Sequence, residues 1–166
     1  MGQTIHTQSD RSDARHDHRH CIENALAAAD RVCRDTGARL TPLRRTVLEL
    51  VWTSHAPIGA YEILERLSGG RRPAPPTVYR ALDFLMSQGL VHRIESQNAY
   101  VGCSHPELAH EAQYLICDAC GTAVEIEIDG LARCINKAAQ DQGFSVDTRT
   151  VEVRGQCQNC LTAPAQ

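Results

Sequence analysis

Two periods of apolar spacing run along this chain, and the change from one to the other divides it. The run IENALAAADRVCRD, from Ile22 to Asp35, is built of strong helix formers, and Gly37 is placed to stop it. In RLTPLRRTVLELVWTS, Thr41 suits an N-cap and Pro42 the first helical position. Leu43, Val47, Leu50 and Val51 then form one apolar stripe, which Leu48 widens. In AYEILERL, Ala60, Ile63, Leu64 and Leu67 fall at i, i+3, i+4 and i+7. The breaker-rich SGGRRPAPP follows, and a fourth helix is expected from about Thr77 to Gln88, closed by Gly89. Its inward face is Val78, Ala81, Leu82 and Leu85, which leaves Tyr79, Arg80, Asp83 and Ser87 pointing outward. After Gly89 the period drops to two. LVHRIE and AYVGC read as short strands joined by SQN, a hairpin. Further on, AQYLICD, TAVEIEI and SVDTRTVEV read as strands and LARCINKAAQDQ as a helix bracketed by Gly130 and Gly143.

Helices followed by a hairpin outline a winged helix-turn-helix, with the fourth helix in the position that enters a major groove. The expected fold class is α+β: an N-terminal winged helix-turn-helix domain at 22–102, a hinge at 103–111, and a small α/β unit at 112–161 with a three-stranded sheet and one helix. Residues 1–21 and 162–166 are expected to be tails, the first disordered. The second unit is small for independent stability, so a shared sheet in a dimer and a structural metal would both help it.

Composition supports a packed, soluble protein: 166 residues, 42% hydrophobic and 22% charged, with aromatics at only 4%. No apolar run reaches the roughly 18 residues that span a bilayer, and the first twenty residues carry no signal-peptide stretch. A cytoplasmic location without membrane association is expected. The tail sequence HDHRH reads as a solvated polar segment with at most loose affinity for metal. Net charge is −3, unevenly placed. Residues 37–93 carry eight Arg against four acids, whereas 97–166 carry four basic groups against nine acids. A basic first half suits phosphates. Only Lys137 among the 17 basic residues is a lysine, which equally fits an arginine-rich codon usage.

Eight cysteines in a reducing compartment argue for metal over disulfides. Cys117 and Cys120 form one C-x-x-C, and Cys157 and Cys160 a second. Four thiolates from two such pairs match the closed tetrahedral site of a structural Zn²⁺. A redox pair would need a strand feeding a helix, but Cys120 is followed by a turn and a strand. A zinc deaminase would use H-x-E before C-x-x-C, which His105, Glu107, Cys117 and Cys120 match formally. That reading has Ile116 where a Pro is usual and leaves the second pair unexplained. His92, Cys103, His110 and Glu125 form a looser constellation, in which each residue alone reads as surface or filler. Cys33 and Cys134 read as helix packing.

The segment PPTVYRALDFLMSQGLVHRIES resembles the recognition helix and wing of the ferric uptake regulator family. With RLTPLR, AYEIL, LICDACG and the closing C-x-x-C in order, the resemblance covers roughly residues 24 to 160 and is closest to the zinc uptake regulator branch. It implies a zinc-sensing transcriptional repressor rather than an enzyme, with no small-molecule substrate. The expected partners are a second copy of the chain and double-stranded palindromic operator DNA. The resemblance also implies two zinc ions per chain: a structural one on Cys117, Cys120, Cys157 and Cys160, and a regulatory one on His92, Cys103, His110 and Glu125, with His105 as a spare ligand. Zinc-uptake genes would be the repressed targets. An iron- or peroxide-responsive member of the same family is the alternative. Those branches carry a His-Asp-His run where this chain has Ala112, Gln113 and Tyr114, and a histidine where it has Arg149. On the DNA side, Tyr79 and Arg80 are expected contacts because they lie on the outward face of the recognition helix in its first turn, with Thr77 beside them, and Arg44, Arg71 and Arg72 are expected phosphate contacts.

Overall fold

The computed structural model describes residues 18–67, 73–107 and 112–162. His110, Arg71, Arg72 and most of the N-terminal tail lie outside them. The described chain runs α1 (His18–Asp35), α2 (Pro42–Val51), β1 (Ile58–Gly59), α3 (Ala60–Arg66), α4 (Pro75–Ser87), β2 (Val91–Ile94), β3 (Ala99–Gly102), β4 (Gln113–Cys117), β5 (Ala123–Ile126), α5 (Leu131–Asp141), β6 (Val151–Gly155) and α6 (Gln158–Thr162). A single 3-10 turn, Glu95–Gln97, forms the wing tip between β2 and β3. No helix among the described residues is long and apolar enough to cross a membrane.

The winged helix-turn-helix is present. Thr41 is extended and its side chain accepts from the Arg44 amide at 3.5 Å, with Pro42 opening α2. Val47, Leu48 and Val51 of α2, Ile63 and Leu64 of α3, and Val78, Ala81, Leu82 and Leu85 of α4 bury one common core. Each fully buried Leu or Val contributes about 1.5–3 kcal/mol. Leu43 and Leu50 sit only at the core's margin, so Leu48, taken as the extension of the stripe, lies at its centre.

Four boundaries differ from the sequence pattern. First, α1 begins at His18 rather than Ile22, so residues 18–21 are helix rather than tail. Nothing in HRHC breaks a helix, and Cys21 and Ile22 pack against the core. Second, the wing sheet has a third strand, in the order β1-β3-β2. At two residues, Ile58 and Gly59, β1 is too short to show a period. Third, the last strand is Val151–Gly155 and does not start at Ser145. It pairs in parallel with β4 from Gln113↔Val151 to Cys117↔Gly155, and β4 offers only those five residues. Fourth, Cys160 lies in a short helix, α6, so the second C-x-x-C leads from a strand into a helix. Cys33 is buried as expected, whereas Cys134 is exposed on α5.

The second sheet has the order β5-β4-β6, antiparallel on one side and parallel on the other. One face packs on the wing: Ile94 and Val101 of the hairpin form a single cluster with Tyr114, Ile116 and Ala123. Polar ties surround that cluster. The Ala123 amide donates to the His55 carbonyl at 3.1 Å. The Glu152 carboxylate accepts from the amides of Glu95 at 2.6 Å and Ser96 at 3.2 Å. Arg31 of α1 pairs with Glu107 at 2.6 Å.

Candidate metal centres

Cys117 ends β4, and the turn after it returns on Gly121, whose amide donates to the Cys117 carbonyl at 2.9 Å. Gly121 has φ +74°, a conformation that favours glycine. Parallel pairing carries β6 to the same edge, so Cys157 arrives beside the first pair. The Asp118 amide donates to the Gly155 carbonyl at 2.7 Å and Arg154 pairs with Asp118 at 2.6 Å, tying the two knuckles together. All four sulfurs lie within 4.8 Å of one another. Cys120 Sγ and Cys157 Sγ are 3.8 Å apart. A tetrahedral zinc with Zn–S near 2.3 Å spaces its sulfurs by about 3.8 Å, so the cluster fits that ion.

The electrostatics of the thiols point the same way. The Cys157 amide, 3.3 Å from Cys117 Sγ, together with the Cys120 amide, lowers the Cys117 thiol to about 6. The Thr122 hydroxyl lowers Cys120. Cys160 is pushed up to about 12 by the neighbouring thiols, Cys157 first and then Cys120 and Cys117. Four sulfurs so close cannot all ionise unless a cation joins them. Although the second pair has the strand-to-helix setting of a redox motif, its sulfurs share a cluster with the first pair.

The second cluster straddles the two units. His92 comes from β2, Cys103 follows β3, and Glu125 comes from β5; one donor atom of each lies within 4.8 Å of the others. Glu125 Oε1 is 3.7 Å from His92 Nε2, and Glu125 Oε2 accepts from the Ser104 amide at 3.0 Å. The Glu125 side chain is 7% exposed. A carboxylate buried this far needs compensating charge. Nitrogen, sulfur and oxygen donors together suit zinc better than a hard cation. Gly102 sets the position of Cys103, because a Cβ there would overlap the Trp52 indole. The fourth expected donor, His110, lies outside the described residues, and His105 is exposed and outside the cluster. The deaminase arrangement is not assembled: Cys117 and Cys120 share their cluster with Cys157 and Cys160, and Glu107 is paired with Arg31.

On α4, Thr77, Tyr79 and Arg80 are exposed beside one another near the N-terminal end of the helix. Arg44 is half-buried: its guanidinium lies 3.4 Å from the Phe84 ring centroid and donates to the Arg39 carbonyl at 2.6 Å. It is therefore held within the domain instead of extending as a phosphate-seeking arm. Nothing in the sequence pattern signals the Glu152 contact with the wing, since an acid between two valines reads as a solvated position.

With this geometry in hand, the comparisons with known proteins are specific. The sequence pattern of the ferric uptake regulator family matches residues 35–154. The zinc uptake regulation protein of Escherichia coli (strain K12) is 38% identical over 145 residues, covering 86% of this chain and 85% of that protein. A zinc uptake regulator solved in complex with zinc and DNA superposes with TM-score 0.79 at 37% identity, covering 84% of this chain and 95% of the other. Holo XcZur superposes with TM-score 0.78 at 43% identity over 86% of this chain and 99% of that one, whereas apo XcZur gives 0.50 at 42% identity over 85% and 98%. The chain belongs to the ferric uptake regulator family.

Proposed function

We propose that this protein is a cytoplasmic zinc-sensing transcriptional repressor, not an enzyme, that binds palindromic operator DNA as a homodimer and controls zinc uptake. The observation that carries this reading is the division of donors into two clusters: four thiols closed within the second unit, and His92, Cys103 and Glu125 shared between the two units. In this reading each chain holds two zinc ions, one structural and one regulatory, with His110 as the fourth regulatory ligand. The similarity to zinc uptake regulators, including one bound to zinc and DNA, supports zinc over iron or peroxide as the signal. The thiol of Cys103 supports it chemically, because a soft donor favours zinc over hard cations.

Bound at the shared cluster, zinc supplies positive charge for the buried carboxylate and a common point for donors from both units. His92 and Cys103 hold the base of the wing, and Glu125 holds the second sheet against it. With those donors joined, one relative orientation is favoured, and two copies can present their α4 helices to two half-sites together. A hundredfold gain in DNA affinity requires about 2.7 kcal/mol of coupling, a fraction of what a zinc site supplies. Arg80 would read guanine O6 and N7, Tyr79 would pack on a thymine methyl or reach a phosphate, and Thr77 would contact the backbone. Arg71 and Arg72 would take phosphates, as would Arg44 once released from Phe84.

The outer face of the second sheet supports the dimer. Val124, Leu115 and Val153 form one cross-strand row, of which Leu115 is 43% and Val153 51% exposed. The amphipathic helix α5 has no buried residue. A two-fold partner would cover both. The test is to load the purified protein with zinc, remove the weaker ion with a mild chelator, and follow retention on a palindromic duplex. Two zincs per chain, DNA release on losing the weaker, and recovery with Zn²⁺ but not Fe²⁺ are expected. A single zinc, DNA binding indifferent to chelation, or equal recovery with Fe²⁺ would reject the reading.

A further inference from the structure

Among the cross-strand rows with which the second sheet meets the wing, one carries two carboxylates. Glu125 of β5 is opposite Tyr114 of β4, and Tyr114 is opposite Glu152 of β6. Residues in such a row project to the same face, and strands about 4.8 Å apart place the outer two roughly 10 Å from each other. Tyr114 is 3% exposed and packs with Ile94 and Val101 of the hairpin. The two carboxylates flank it, and each takes a different end of the wing. Glu125 meets the base, where His92 lies at the start of β2 just after Val91 and Ser104 follows β3. Glu152 meets the tip: it accepts the Glu95 amide at 2.6 Å on one oxygen and the Ser96 amide at 3.2 Å on the other. Glu95's own carboxylate is drawn to Arg93 Nε at 3.4 Å, which offsets a second negative charge at this point.

We infer that Glu152 is a positioning residue for metal sensing: its carboxylate clamps the wing tip to the second sheet and holds the hairpin where His92 and Cys103 face Glu125. The inference rests on the zinc-sensing reading and deepens it. Two amide donors on one ionised acceptor form a charge-assisted pair, and the span of 56 to 57 residues between partners makes it a tie between units rather than a local cap. An ion that binds only the closed arrangement has an apparent affinity reduced by the fraction of molecules not closed. The clamp raises the closed fraction without touching the ion, so losing it weakens the regulatory site while leaving all its ligands in place. A Gln at this position keeps one acceptor oxygen and should retain part of the effect.

The experiment compares full-length wild type, Glu152→Ala and Glu152→Gln by two readouts: amide hydrogen exchange at Glu95 and Ser96 by NMR, and Zn²⁺ affinity by competition with a chelating indicator. Dimer size and retention of the tighter zinc verify the fold of each variant. The expected result for Glu152→Ala is faster exchange at both amides, by about tenfold, and a weaker-site dissociation constant raised about three- to tenfold, with Glu152→Gln intermediate. If Glu152→Ala leaves amide exchange unchanged, there is no clamp. If exchange accelerates but zinc affinity does not move, the contact is only a local cap and the positioning role is wrong. If wild type itself binds a single zinc, the sensing reading has failed, and the sensing role of Glu152 falls with it, while the exchange data still decide whether the clamp exists.

Discussion

The four-thiol cluster and the interface cluster use the same donor chemistry in opposite mechanical settings. Cys117, Cys120, Cys157 and Cys160 approach along two adjacent strands of one sheet, and backbone hydrogen bonds hold their knuckles together. An ion there would tie together a small unit whose helix α5 has no fully buried residue. His92 and Glu125 come from strands of two different sheets and Cys103 from the residue after β3, and the contact between those sheets is what their alignment depends on. An ion there would bias an arrangement instead of creating a fold. Affinity and responsiveness thus follow from how many units the donors come from as well as from which atoms they are.

Breaking the closed cluster should have the largest effect. Cys120→Ser should unfold the second unit and abolish dimerisation, since structural zinc supplies about 10–16 kcal/mol in zinc-finger peptides. Circular dichroism and sedimentation would show it, and a folded dimer would contradict the assignment. Cys103→Ser should leave the fold and dimer intact, lower zinc from two to one per chain, and remove the roughly hundredfold zinc response in DNA affinity. Arg80→Ala should cost about 1–3 kcal/mol of operator affinity at every zinc concentration at which the wild type binds, without shifting the zinc midpoint. A shifted midpoint would mean that Arg80 acts on the metal site.

How much of this was legible in the sequence varies with the kind of signal. The inward face of α4 was readable because Val78, Ala81, Leu82 and Leu85 repeat at the helical period, and all four are buried. The paired C-x-x-C motifs were readable because their spacing encodes the knuckle. The limits of β6 were not, because the length of β4 sets them. β1 was invisible for want of residues, and the start of α1 lay in a segment whose polarity resembled a tail. Each of these donors was an ordinary residue in or beside its own strand, and only the family resemblance joined His92, Cys103 and Glu125 before the structure placed them together. Glu152 carried no signal, since its partners are backbone amides more than fifty residues away.

The central claim is that one ion is gripped from both units, and Glu125 tests it most directly because it lies in the second sheet, away from α4. Glu125→Gln keeps an oxygen for the Ser104 amide while removing the charge. Operator binding should be titrated against buffered free Zn²⁺ for wild type and this variant. The variant should need at least tenfold more free zinc to reach half-maximal binding, with its maximal affinity and tighter zinc unchanged. Superimposable titration curves would contradict it.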